Sequence, residues 1–532
     1  MGKKPGGRRL FALLLGLWLP FFSAQASFAS GDHNAFAENS FYEYGRKERA
    51  LLIGIDYFVS KPTIYPSSTN NVYAMQEIFQ SAQEPLETLL IPAEPVTSAN
   101  GLTALIQDAF GEALPQDVSY FYISTHGDYA PESGEDPVLL LSDGLTEYRM
   151  SAAELEAAFS GIAGKKVLIL DACNSGAFIG KGEVAPPHPP HFLGNEFKVL
   201  TSSGALEESW YWGEKDAEAP AQEADSRATG RPPPPDGQGS FYFTQSLLQS
   251  LSPRYGYPAD GNLDGMVTLT ELYEYLLQNH APSTPQVYPQ HDDFVFFRYD
   301  IQKKLMPEQT RSPILHVNFS GTMLDQKNQE VILEYVATRP VRVGYQIVYF
   351  QDGKWSFEDA RILFNAPELF TAFGDQPGAV SAGHKMQALT SQGRASYGYM
   401  MVQLVSFDNG KITVHAGRVF CLPPQEGTLQ LGVTVQSQYD RSGGQELSIF
   451  ATHNYPCALS VAVINQQGEV VRRIAHNQST RPSQIKPTGS LFYWNGTDKY
   501  GDPVPSGLYQ VRISGTMNGE TFTALSGSIA LQ

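Results

Sequence analysis

The chain has 532 residues, 42% of them hydrophobic, which is the composition of a folded protein with material for about three ordinary domains. Its 55 acidic and 37 basic side chains give a net charge of −18, and this excludes a nucleic-acid partner, because phosphate binding needs a basic surface. Its three cysteines are an odd number, so at least one is a free thiol or an intermolecular partner.

Residues 1–26 carry Lys3, Lys4, Arg8 and Arg9, then the apolar run Leu10 to Phe22, then small residues at Ala24 and Ala26. This is the pattern of a secretory signal peptide, and its apolar run is too short to span a bilayer. No later segment reaches transmembrane length, so the mature protein is expected to be soluble and secreted or periplasmic, with no membrane span. A strand is expected at 50–55, a helix at 71–83, a strand at 88–91 and a helix at 102–114. Two buried strands follow. Between them Ser151 and Glu154 form a capping box that opens a helix to about residue 162. A strand at 197–201 and a helix at 239–251 come next, and the apolar run 294–299 is expected to close the sheet. Strand and helix alternate throughout, which predicts an α/β fold with a mostly parallel sheet and helices on both faces.

The two buried strands carry the chemistry. One runs Ser119-Tyr-Phe-Tyr-Ile-Ser-Thr-His126-Gly127, and the other Lys166-Val-Leu-Ile-Leu-Asp171-Ala-Cys173-Asn-Ser-Gly176. Each is a continuous apolar run, as strands buried on both faces are, and each ends on a reactive side chain. Sites in open α/β sheets form at the carboxyl ends of strands, so the thiol and the imidazole are expected side by side. A thiol needs a base to become a nucleophile, and a neighbouring His supplies one. The small residues after each let backbone N–H groups approach a carbonyl oxygen.

Ser124-Thr-His126-Gly127 and Asp171-Ala-Cys173-Asn-Ser-Gly176 resemble the His-Gly and Asp-x-Cys-x-Ser-Gly motifs of the caspase-like cysteine peptidases, most of all metacaspases and their bacterial relatives. The resemblance implies a peptidase domain over 46–302, with Cys173 as nucleophile, His126 as general base, and the N–H groups of Gly127 and Cys173 as oxyanion hole. It gives the dyad no third member and catalysis no cofactor. Ser124 and Asp171 match metacaspase pocket residues that hold a basic P1 side chain, but Asn70-Asn71 stands where those enzymes carry an acidic residue, which weakens that inference. The implied partner is a protein or peptide substrate. Two rivals stay open: a non-catalytic scaffold that binds a surface, and a transpeptidase using the same dyad.

The segments 182–193 and 213–238 are rich in Pro, Ala, Glu and Gly and read as surface loops. His188 and His191 in the first suggest metal, but no carboxylate or thiol partner is visible in sequence, and a solvated loop is the expectation. Lys215, Arg227 and Arg231 in the second offer a maturation site, with an uncleaved insert as the equal alternative. Asp260-Gly-Asn262-Leu-Asp264-Gly265-Met266-Val-Thr268-Leu-Thr-Glu271 fits an EF-hand-like calcium loop over 260–271, with oxygen ligands at the first, third, fifth and ninth positions, the Met266 carbonyl at the seventh and a bidentate Glu at the twelfth. Thr268 and Glu271 also form a capping box that would start the next helix without metal. The expected role of calcium is structural.

Beyond residue 311 the period becomes that of strands. Runs such as 331–336, 341–350 and 400–405 predict a β-sandwich domain over 311–425 and another over 427–532. The segment from Trp494 to Tyr509 resembles the end of the Ig-like domain of the flagellar hook-capping protein, which implies an adhesive or spacer module and cell-surface contact. A disulfide between Cys421 and Cys457 would tie the two sandwiches together.

Overall fold

The computed structural model describes residues 45–212, 240–280, 282–301, 312–325, 330–337, 341–356, 362–364, 380–387, 397–408 and 411–532. Residues 1–26, where a signal peptide is expected, and the segment 213–238 with Lys215, Arg227 and Arg231 lie outside these residues. The α/β part contains strands β1 (Glu48–Gly54), β2 (Thr88–Leu90), β3 (Val118–Ser124), β4 (Gly127–Asp128), β5 (Val138–Ser142), β6 (Glu147–Ser151), β7 (Lys165–Asp171), β8 (Phe197–Thr201), β9 (Tyr211–Trp212), β10 (Ser240–Phe241), β11 (Met266–Thr268), β12 (Gln286–Tyr288) and β13 (Val295–Arg298). Its helices are α1 (Ser67–Gln80), α2 (Ala99–Phe110), α3 (Ala152–Ala158), α4 (Tyr242–Leu251) and α5 (Leu269–Asn279).

The main sheet has the order β12-β8-β7-β3-β1-β2. All neighbours are parallel except β12, which runs antiparallel to β8. Side-chain alternation explains why the central strands read as unbroken apolar runs. On β1, β3 and β7, Leu51, Ile53, Phe121, Ile123, Leu168 and Leu170 face one way, into a core with α2 and α3. Ala50, Leu52, Tyr120, Tyr122, Val167 and Ile169 face the other, into a core with α1, α4 and α5. Each large apolar side chain fully buried this way contributes about 1.5–3 kcal/mol, so the strand ends are held by buried cores on both faces of the sheet.

Two departures from the sequence reading concern strand partners. The run expected to close the sheet contains β13, but β13 pairs antiparallel with β11 in a separate ribbon, and β12 takes the edge instead. Apolarity marked 294–299 as a strand correctly; Phe296 and Phe297 are buried against the α5 side of the core, which an edge position in the main sheet would not give them. The second departure is a small antiparallel sheet, β4-β5-β6, directly after His126, which the sequence did not announce. The expected helix at 239–251 starts only at Tyr242, because 240–241 form β10 against β9.

The remainder is largely strands in several sheets, consistent with β-sandwich domains. Ile314–Phe319, Glu330–Ala337 and Val380–Gln387 form one sheet, and a second is built on Arg342–Gln351, Gly398–Asp408 and Lys411–Leu422. In the last hundred residues a three-stranded and a six-stranded sheet share one apolar cluster containing Ile449, Val461, Trp494, Val511 and Ile513. The disulfide that Cys421 and Cys457 could have made is not formed. Cys421 and Cys457 are free and buried, and the Cys421 thiol points at the carbonyl oxygen of Cys457 (3.1 Å) rather than at its sulfur.

The final strands pack on the α/β part. Lys181 and Glu446 form an ion pair with both side chains 4% exposed. The Lys181 ammonium also donates to the Val287 carbonyl and sits over the Tyr493 ring. Arg481 donates to the carbonyls of Leu277, His280 and Ser283. These contacts give no support to a free spacer reaching for a cell surface. Among the described residues no helix is long and apolar enough to cross a membrane.

Candidate active site

β3 and β7 are adjacent and in register, Ser124 opposite Asp171. His126 and Cys173 each lie two residues further on, so both leave the sheet at the same level on neighbouring strands. The Thr125 N–H donates to the Asp171 carbonyl (3.2 Å), which carries the pairing one residue past the sheet. Both side chains are half-buried. At Gly127 any Cβ would run into the carbonyl oxygen of Cys173, so the two loops touch through backbone and only glycine fits. The Leu140 N–H donates to the His126 carbonyl (3.0 Å), which makes His126 and Leu140 a bonded pair of the antiparallel ribbon. The next pair, Gly127 and Leu139, is then of the non-bonded kind, and the Gly127 N–H turns out of the ribbon.

His126 has an orienting partner that the sequence did not show. Its Nε2 lies 2.9 Å from the Pro62 carbonyl oxygen. A carbonyl only accepts, so Nε2 carries the proton and Nδ1 is left bare as the acceptor. The ring also packs edge-on against Phe58 at 4.5 Å. Pro62 is held in turn: Asp56 accepts through its carbonyl from Ile64 and Thr63, and the Glu147 carboxylate accepts from the N–H groups of Val59 and Ser60. A main-chain carbonyl has no residue signature, which is why this member of the site escaped the sequence reading.

Burial sets the protonation states. The His126 imidazole is held below its ordinary range by desolvation, with the Pro62 carbonyl opposing. The Cys173 thiol is pushed up to about 11, again by burial, while a contact to the Ser209 carbonyl (3.7 Å) opposes the shift. At neutral pH the pair is therefore neutral thiol and neutral imidazole, suited to proton transfer during attack rather than to a standing thiolate.

Ser124 and Asp171 are fully buried beneath the dyad. Asp171 accepts from Ser209 Oγ (3.0 Å) and Thr244 Oγ1 (2.6 Å), and the Thr244 main chain and the Ser202 side chain also reach it. Burial raises its carboxyl to about 6. Ser124 Oγ receives Asn71 Nδ2 at 3.0 Å and donates to Ser68 Oγ at 3.1 Å. Asn71 therefore does reach the wall where an acidic residue was missed, and it also accepts from the Phe241 N–H.

The loop 260–271 curls around its own oxygens. Asp260 accepts from the N–H groups of Leu263 (2.7 Å) and Gly265 (3.0 Å) and from the Tyr299 hydroxyl (2.6 Å). Asn262 accepts from Asp264 N–H, and Asp264 from Met266 N–H. Gly265 takes φ +86°, the left-handed turn its position demands. Thr268 and Glu271 form the capping box that opens α5. The carboxylates of Asp260, Asp264 and Glu271 do not gather to mutual ligand spacing; among the described residues the one group of His, Cys, Asp or Glu that does is Asp136, His188 and His191. This corrects the reading of 182–193 as a solvated loop. His188 is 5% exposed, Phe192 is fully buried, and Asp136, before β5, supplies the carboxylate that sequence spacing hid.

A family model for the caspase domain matches residues 47–316. No curated protein matches the chain. Among solved structures, caspase-1 from Spodoptera frugiperda is 13% identical, with 48% of this chain and 94% of that one covered and a TM-score of 0.30. Dimeric latent PorU from Porphyromonas gingivalis is 15% identical over 46% of this chain, with a TM-score of 0.18, and the chain spans only 22% of that protein's length. The YadV chaperone is 8% identical over 40% of this chain and 98% of its own, with a TM-score of 0.21.

Proposed function

The chain belongs to the caspase-domain family, whose members are cysteine peptidases, and on that premise we propose that it is a secreted, metacaspase-like cysteine endopeptidase working through Cys173 and His126. The observation that carries this reading is the register of β3 and β7, which brings both side chains off the sheet at one level, with the Pro62 carbonyl fixing the imidazole. As the Cys173 sulfur attacks the scissile carbonyl, its proton passes to the bare Nδ1 of His126. The N–H groups of Gly127 and Cys173 hold the oxyanion. His126 returns the proton to the leaving amine, and a water activated by the same imidazole then hydrolyses the thioester.

Asp171 gives the pocket a basic P1 preference, because a buried carboxyl held by hydroxyl and main-chain hydrogen bonds gains from an incoming cation. An extracytoplasmic location rests on the leader sequence, and the last hundred residues are read as an Ig-like module. Asp260, Asn262, Asp264, Thr268, Glu271 and the Met266 carbonyl would hold a calcium ion, whose contribution is to neutralise the loop's carboxylates and stiffen the start of α5. The dyad itself is tested by Cys173→Ala and His126→Ala. Each should abolish peptide cleavage with thermal unfolding near the parent's, since both side chains sit at strand ends outside the two cores. Cleavage surviving in the Cys173 variant would remove the mechanism.

A further inference from the structure

The loop after Cys173 and the loop after His126 meet at a cluster the proteolytic reading does not use. Within 182–193, Pro186, Pro187, Pro189 and Pro190 surround His188, and proline fixes φ, so the loop is stiff before it binds anything. His191 is tied at three points: its N–H donates to the Phe178 carbonyl (3.0 Å), its Nδ1 lies 2.9 Å from Glu156 Oε2 on α3, and the following N–H, of Phe192, donates to Glu156 Oε1. A carboxylate only accepts, so Nδ1 of His191 bears the proton and Nε2 is bare. His188 repeats the pattern, with Nδ1 3.0 Å from the Pro189 carbonyl. Both Nε2 atoms are buried and have no hydrogen-bond partner. His191 Nε2 faces Asp136 Oδ1 at 3.3 Å, and His188 Nδ1 lies 3.8 Å from the same oxygen.

A bare ring nitrogen facing a carboxylate oxygen at that distance is repulsive unless a proton or a cation lies between them. Two donors on a tetrahedral zinc, with bonds of about 2.0–2.2 Å, stand roughly 3.3–3.5 Å apart. One ligand atom from each of Asp136, His188 and His191 falls within 4.8 Å of the others. Histidines that bind metal donate their other N–H to a carboxylate or a main-chain carbonyl, which is what Glu156 accepts from His191 here.

We propose that Asp136, His188 and His191 form a site for a divalent transition metal of the zinc class, with Glu156 as a positioning residue. Two imidazoles and one carboxylate are a donor set suited to zinc, with water completing the shell. The ion joins the segment leading from His126 to β5, the loop that follows Cys173, and α3, so it clamps the two loops that carry the dyad. The site stands on its own donors and does not depend on the peptidase reading.

The test uses the full-length protein stripped with chelator and titrated with Zn²⁺ by calorimetry and with Co²⁺ by visible absorption. The expected result is one tight equivalent of Zn²⁺, a Co²⁺ spectrum of tetrahedral intensity, and a higher melting temperature with Zn²⁺. Asp136→Asn and His191→Ala should each abolish the bound equivalent, and Glu156→Gln should weaken it about 10–100-fold. Glu271→Gln, in the calcium loop, should leave Zn²⁺ binding unchanged. Asp136→Asn is isosteric and its side chain is partly exposed, so it reports on binding even where the His191 variant fails to fold. A parent that binds neither ion, or an equivalent that persists in Asp136→Asn, would overturn the site and leave a protonated His–Asp ion-pair network in its place.

Discussion

Burial brings the titration of Asp171 into an accessible pH range. Its carboxyl rises from 3.8 to about 6 in the fold, so the folded protein holds this proton more tightly than the unfolded chain. The stabilisation is complete below pH 3.8 and is lost as pH rises through about 6. Asp171→Asn should therefore gain melting temperature relative to the parent between pH 4 and 7. In the assay, cleavage after Arg should increase through pH about 6 as the carboxylate forms, and the Asn variant should lose both that rise and most of the Arg preference. Faster cleavage after Asp than after Arg would overturn the pocket assignment. Asp171, like His126 and Cys173, was legible because each ends or follows an apolar run in a recognisable motif. Pro62 was not, since it acts through main chain, and Asp136 was not, since only the fold brings it to His188 and His191.

The calcium loop shows two element-scale readings that share atoms. The Thr268–Glu271 cap is formed and places both of its bonds on Glu271 Oε2, one of the two oxygens a bidentate calcium ligand would supply. Binding should stabilise the protein by about 2.7 kcal/mol at a hundredfold excess over Kd. The melting temperature should rise with millimolar calcium and fall with chelator, and Glu271→Gln should blunt the response. A flat response would leave the cap alone as the role of these residues. Most strands and helices of the α/β part were predictable from period and caps, to within a few residues at their ends. Strand partners were not: apolarity marked β13 as a strand, and only packing of Phe296 and Phe297 decided that it pairs with β11. The β4-β5-β6 sheet was missed because its strands are short and their apolar run, Val138–Leu141, sits between turn-rich segments.

On the scale of the whole molecule, the C-terminal strands are fastened to the α/β part through Lys181, eight residues past the nucleophile. Burial lowers the Lys181 ammonium from its ordinary range, and Glu446 opposes the shift. Removing one partner leaves a buried charge alone, so Glu446→Gln should cost about 3–5 kcal/mol in denaturant unfolding, whereas the joint apolar replacement Lys181→Met with Glu446→Leu should recover most of it. Equal losses in the single and double variants would show that the pair does not fasten the two parts. The central claim, that Cys173 is a nucleophile activated by His126, is tested most directly by mass spectrometry after labelling with an electrophilic peptide ketone carrying Arg at P1. The predicted result is one adduct on Cys173, absent in Cys173→Ala and strongly slowed in His126→Ala, while the buried thiols of Cys421 and Cys457 stay unmodified. Peptide cleavage that continues with Cys173 unlabelled, or an adduct that forms at the parent rate in the His126 variant, would contradict it.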